Sequence, residues 1–345
     1  MKNQLIILVL TVFFFSVAFI QPLFELKLPN HFPETVYDFQ RNLPSKEKIT
    51  LGRFLFYDPI LSSDGSISCA SCHSPYNAFA HTDHDLSHGI HDSIGKRNAP
   101  ALFNLAWQQS FMWDGAINHL DMQALAPINH PAEMDEDIKN VVHKLQNDSF
   151  YPPLFSEAFG DSLITGERIL KALSQFQLTL ISANSKYDRV KKGADHFTEQ
   201  EEKGYALFQL HCNSCHTEPL FTNGKFANNG LPIDSSLQDF GRWEITKQKS
   251  DRLSFKIPSL RNLSYTYPYM HDGRFRKLHQ VINHYANDVH SSPSLADELE
   301  GNIQLHAHEK IDLTAFLLTL DDKKFVFHSA HQFPRQLIPV FNNRK

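Results

Sequence analysis

All four cysteines of the 345-residue chain fall in two short runs, Cys69-Ala70-Ser71-Cys72-His73 and Cys212-Asn213-Ser214-Cys215-His216. Two thiols one turn apart can add to the two vinyl groups of a porphyrin, and the adjacent imidazole can reach its iron from the same segment. Zinc, a disulfide or a redox C-x-x-C are the other uses of such a pair. A tetrahedral zinc site asks for four ligands, however, and each run offers at most three. The spacing therefore predicts two covalent c-type haems on one chain. Cys69, Cys72, Cys212 and Cys215 would be the tethers, and His73 and His216 the iron ligands.

The elements that must position these residues can be read in order. Length and a hydrophobic fraction of 41% allow two buried cores, hence two domains. The net charge of −5 comes without basic runs, which excludes a nucleic-acid partner. The 20 histidines serve mostly in surface and core roles before any metal needs them. Met1 to Ile20 reads as an export segment: Lys2 leads an apolar run from Leu5 to Phe15, and Ser16-Val17-Ala18 offers a small-x-small cleavage site. An uncleaved membrane anchor over Leu5–Ile20 is the alternative, and a buried helix a third reading. Either export reading puts the chain in the periplasm, where c-type haem is attached.

From Pro44-Ser45 a short helix is expected with Ile49, Leu51, Phe54 and Leu55 on one face, ended by Asp58-Pro59 and followed by a polar loop over 62–68. Before the second haem motif, Thr198 and Glu201 make a capping box for a helix that runs to Cys212. Both preambles carry G-x-x-L-F, at Gly52, Leu55, Phe56 and at Gly204, Leu207, Phe208. The similarity becomes a register further on. Pro100, Leu102, Asn104 and Leu105 recur as Pro258, Leu260, Asn262 and Leu263, and Met112, Asp114 and Gly115 as Met270, Asp272 and Gly273, always at an offset of 158. Two homologous, mainly α-helical lobes with one haem each are predicted, joined by the polar linker 191–195.

The same offset sets Tyr285 opposite Pro127. A tyrosine oxygen can ligate ferric iron, whereas a proline has no side-chain donor. Were this position to face the distal side of each haem, one iron would be capped and the other open to a small oxidant. The ordinary readings are a buried helix aromatic for Tyr285 and a helix breaker for Pro127.

Over residues 44–330 the chain resembles the bacterial di-haem cytochrome c peroxidase and MauG family. The motifs that carry the resemblance are the two C-x-x-C-H runs, 95–100 (GKRNAP), 111–115 (FMWDG), 131–134 (PAEM) and 267–273 (YPYMHDG). The resemblance implies two cytochrome c-like domains, a peroxidatic one over 44–190 and an electron-transfer one over 195–330. It implies that Glu133 is the distal acid/base, that Gln123 matches the family's glutamine ten residues before it, that Pro127 lies distal to the first haem, and that Trp113 sits between the haems. A carboxyl in a mostly apolar pocket could move a proton between the oxygens of a peroxide. Its bland alternative is an acidic helix start at 131–137. Tyr285 would ligate the second iron, in the place where many of these peroxidases carry methionine. His91 would be a resting-state ligand of the first iron, and Asn98, Thr266 and Pro268 would hold a calcium ion, the last two through carbonyls.

By the resemblance, hydrogen peroxide is the oxidant, a small c-type cytochrome or another periplasmic donor supplies electrons, and a homodimer is a possible assembly. A MauG-like oxidase acting on a partner protein, or a non-enzymatic electron carrier, are the alternatives. Pyridine haemochrome analysis should find two c-type haems per chain, and Cys72→Ala and Cys215→Ala should each lose one; retention of both in either variant would refute the attachment.

Overall fold

The computed structural model of the chain describes Phe24 and residues 26–344, so the expected export segment lies outside the described residues. Among the described residues no helix is long and apolar enough to cross a membrane. The fold is mainly helical, and its only sheet among these residues is an antiparallel pair of two-residue strands, Phe226–Ala227 and Phe255–Lys256.

The helix Lys46–Tyr57 starts where expected, with the Ser45 hydroxyl accepting from the Lys48 N–H at 3.2 Å. It stops at Asp58, whose carboxylate caps the next turn through the Ile60 N–H at 2.9 Å. Its apolar face lies across the helix Gly166–Leu178. In the second lobe the Thr198–Glu201 capping box starts the helix Glu199–His211, which crosses the helix Ala307–Leu318 in the same way. The shared glycine of the two preambles explains both crossings. A methyl group on Gly52 would lie 1.8 Å from the Ala172 carbonyl oxygen, and one on Gly204 would lie 1.9 Å from that of Asp312. Only a residue without Cβ lets the backbones approach so closely.

The 158-residue register holds through the middle of each lobe. Phe111 pairs with Ile117 as Tyr269 pairs with Phe275. Asn104 and Asn262 take φ of 54° and 62°, and Met112 and Met270 take 68° and 74°. The helix Leu278–Asn287 has its image in two pieces, Leu120–Gln123 and Leu125–Asn129. Pro127 explains the break, because it has no N–H to give to the Gln123 carbonyl.

Two hydrophobic cores result. Leu55, Phe56, Phe79, Phe155 and Phe176 belong to the first, and Phe208, Phe221, Phe316 and Leu320 to the second. The C-terminal residues Phe325, Val326 and Leu337 return to pack on the first core, although the chain before them builds the second. Between the lobes, Asp188 and Arg261 form a fully buried two-point ion pair at 2.7 and 2.8 Å, joined at 3.0 Å by the His31 ring.

The glycine contact predicts the outcome of one substitution. Gly204→Ala should destabilise the folded protein by about 1–3 kcal/mol through overpacking against the Asp312 carbonyl. Thermal unfolding of the haem-loaded protein checks this, and a wild-type midpoint would contradict the crossing.

Candidate active site

Both C-x-x-C-H runs fold into the same turn. The His73 N–H donates to the Cys69 carbonyl at 3.0 Å, and the His216 N–H to the Cys212 carbonyl at 2.8 Å. In the first lobe Cys69–Cys72 is a single helical turn, whose start is capped by the Ser68 N–H donating to the Ser71 hydroxyl at 3.1 Å. In the second, Cys212 caps the C-terminus of Glu199–His211. None of the four thiols is paired. Burial pushes Cys69 and Cys212 up to about 12, so they are neutral thiols.

The two histidines are prepared as iron ligands by their second nitrogen. His73 Nδ1 donates to the Phe79 carbonyl at 2.8 Å, and His216 Nδ1 to the carbonyls of Phe221 at 3.2 Å and Pro258 at 3.1 Å. Such a bond fixes the tautomer and leaves Nε2 with a free lone pair. Burial lowers both rings to about 4, so they are neutral, as a metal ligand must be. Two free thiols and an oriented neutral imidazole in each lobe fit a covalent haem, and the two sets are alike.

What faces the two thiol pairs differs. Glu133 lies close enough to Cys69 and Cys72 for its charge to raise both. Burial raises its own carboxyl above the usual range, and His130, 4.0 Å away, only partly opposes this. The stretch 131–134 is a turn and not a helix start; the next helix begins at Ile138, capped by Asp137. The turn is held on Pro127, whose carbonyl accepts from the Met134 N–H at 3.2 Å. Gly89 packs on its backbone with no room for a methyl group. Gln123 ends the first piece of the broken helix, its side-chain oxygen accepting from Gln177 Nε2 at 3.4 Å. In the second lobe Tyr285 stands within range of both Cys212 and Cys215. Burial pushes its phenol up to about 12, with the Asn229 amide pulling the other way.

Trp113 lies where the lobes meet. Its indole donates to the Asn98 carbonyl at 2.9 Å, and its own carbonyl accepts from the Lys256 N–H at 2.7 Å. Asn98 is buried, with its side-chain amide donating to the Asp85 carbonyl at 2.9 Å. Pro268 is buried and Thr266 half-buried on the second-lobe side. Among the described residues no cluster of three or more His, Cys, Asp or Glu could hold a metal. The donors implied for calcium, an amide and two carbonyls, are outside that class. His91 is mostly exposed in this conformation, with Nδ1 3.9 Å from Asp64.

Three residues at these sites had no role in the sequence reading. Arg97 ties the lobes together, donating to Asp239 at 2.6 and 2.8 Å and to Asp114 at 2.5 Å. Burial would raise the Asp239 carboxyl, but Arg97 outweighs it and holds it below the usual range. Arg97 stands inside the 95–100 motif, which was the available signal. Asp239 and Asn229 lie in segments without a repeat image and carried none.

Known proteins resemble this sequence over most of its length. A family model described as di-haem cytochrome c peroxidase matches residues 46–196. A methylamine utilization protein MauG of Methylophilus methylotrophus is 36% identical over 88% of this chain and 90% of its own length. A cytochrome c551 peroxidase of Nitrosomonas europaea is 34% identical over 85% and 84%. The crystal structure of a MauG-like protein associated with microbial copper homeostasis superposes with a TM-score of 0.80, at 31% identity, over 90% of this chain and 99% of that one.

Proposed function

Given that the chain belongs to the di-haem cytochrome c peroxidase and MauG family, we propose that it reduces hydrogen peroxide to water. The electrons would come from a small c-type cytochrome or another periplasmic donor. The reaction takes two electrons and two protons per peroxide and yields two waters. The observation that carries this reading is the inequality of the two sites. A protonatable carboxyl, Glu133, stands by the thiols of the first lobe, and a phenol, Tyr285, stands by those of the second.

In this reading Cys69, Cys72 and His73 hold the peroxidatic haem, and Cys212, Cys215 and His216 hold the electron-transfer haem. Bound there, the first haem supplies an iron at which the O–O bond is broken. Glu133 holds a proton on its carboxylate because burial raises its affinity, and passes it to the leaving oxygen. Gln123 helps to orient the oxidant, and Pro127 leaves its face of the pocket without a competing ligand. Tyr285 would supply an oxygen ligand to the haem iron that His216 also holds. Trp113 bridges the two centres, and His91 is a resting-state ligand that stands away in the present conformation. Asn98, with the carbonyls of Thr266 and Pro268, holds a calcium ion at the interface. The domains run over 44–190 and 195–330, with Phe325 and Val326 packed back on the first core, and the chain is exported, by a cleaved signal or by an N-terminal anchor.

A second reading, oxidation of side chains on a partner protein, is favoured by one feature: an oxygen ligand at Tyr285. A phenolate stabilises ferric iron and lowers its potential, which makes the second haem a poorer acceptor for electrons from an ordinary cytochrome.

Two substitutions test these assignments. Glu133→Gln keeps shape but removes the proton carrier, and peroxide turnover should fall by about 10² or more with haem spectra unchanged; wild-type turnover would reduce Glu133 to a bystander. Tyr285→Phe should convert the second haem to a high-spin or water-ligated spectrum and leave the first as it was. An unaltered spectrum would remove the tyrosine as ligand.

A further inference from the structure

The 158-residue register does not stop at the surface of each lobe; it continues across the interface between them. The Asn98 N–H donates to the His271 carbonyl at 2.7 Å, and the Lys256 N–H donates to the Trp113 carbonyl at 2.7 Å. Lys256 is the register image of Asn98, and His271 is that of Trp113. The two bonds are therefore one contact made twice, about a pseudo-two-fold axis. The same register pairs Gln108 with Thr266 and Ser110 with Pro268. Asn98, Thr266 and Pro268 thus have Lys256, Gln108 and Ser110 as their image.

Those three image residues meet in the structure. Lys256 Nζ donates to the Gln108 side-chain oxygen at 2.5 Å and to the Ser110 carbonyl at 3.1 Å. The Phe111 ring lies 5.9 Å from the ammonium. Both acceptors are neutral oxygens, and no carboxylate pairs with this lysine among the described residues. Its pKa is pushed down to about 8 by burial alone. An unpaired, desolvated ammonium is costly to keep. Neutral oxygens converging on a cation are the coordination a hard metal ion also takes.

We infer that Lys256 is a tethered cation: its ammonium fills a second interlobe cation site, the pseudo-two-fold image of the one formed around Asn98. Trp113 is then anchored from both images, its indole on the Asn98 carbonyl and its own carbonyl on the Lys256 N–H. One site would take an exchangeable divalent ion, while the other carries its charge on the chain. This inference uses the calcium reading only for the image site and does not depend on the peroxidase reading.

Two variants of the haem-loaded protein test it, through calcium content and thermal midpoint with chelator or with excess calcium. Lys256→Met keeps the stem and removes the charge; Lys256→Asn reproduces the residue at the image. Both remove the ammonium donor from the Gln108 and Ser110 oxygens, a loss that outweighs the relief of a desolvated charge, and should lower the midpoint in chelator by roughly 2–4 °C. Only Lys256→Asn should regain it with calcium, and it should bind one calcium more per chain than the wild type. The inference is overturned if neither midpoint moves, if the two variants respond alike to calcium, or if Lys256→Asn binds no additional ion. Absence of calcium from the wild type would count against the Asn98 site alone, and the comparison between the variants would still decide the role of Lys256.

Discussion

Two backbone hydrogen bonds, Asn98 to His271 and Lys256 to Trp113, set how the halves of this molecule face each other. Each joins the segment after a haem motif in one lobe to the corresponding hairpin of the other. The neighbouring charges depend on that docking. Arg97 can reach Asp239 and Asp114 together only if the lobes sit in this register, and all three side chains are largely buried. Leaving either carboxylate without Arg97 would strand a buried charge, which typically costs about 3–5 kcal/mol. Trp113 is seated by the same contacts, so a residue between the two haem motifs inherits its place from the duplication itself.

Against this shared frame, a few substitutions make the lobes unequal. Pro127 breaks a helix that is continuous in the second lobe, where Tyr285 takes its register position beside the thiols. Phe103 in the first lobe is replaced by Arg261, which is fully buried against Asp188 and stacks near Phe32 and Phe221. Trp113 has His271 as its register image, and the His271 ring lies 3.6 Å from that of Phe255 in a parallel stack. The exchanges at Pro127 and Phe103 each put a polar side chain where the first lobe has none. The lobes are thus built alike and equipped differently, as the proposed division between peroxide binding and electron transfer requires.

Much of this was legible before any coordinates. The haem motifs are local, so spacing alone discloses them, and Ser45 and Thr198 cap the helices they announce. The repeat was visible only through its middle. Phe176 and Phe316 play the same part in the two helix crossings, but they are 140 residues apart and not 158, because the intervening loops differ in length. Long-range charge partners left no trace in the pattern: Arg97 and Asp239 lie 142 residues apart, and His31 and Asp188 lie 157 apart. The return of Phe325 and Leu337 to the first core was hidden for the same reason, since a short apolar run does not say which core it joins. Lys256 was within reach of the register argument, because its image Asn98 stands in a motif, but a lysine near a strand reads as ordinary surface until its acceptors are known.

The central claim is that the two haem sites, alike on the histidine side, differ on the opposite one. An electron paramagnetic resonance spectrum of the ferric, haem-loaded His91→Gly variant, in which no resting-state histidine can close the first iron, tests it most directly. One high-spin and one low-spin signal in equal amounts per chain are predicted, the first from the site of His73 and the second from that of His216 and Tyr285. Two low-spin signals, or two high-spin ones, would contradict it.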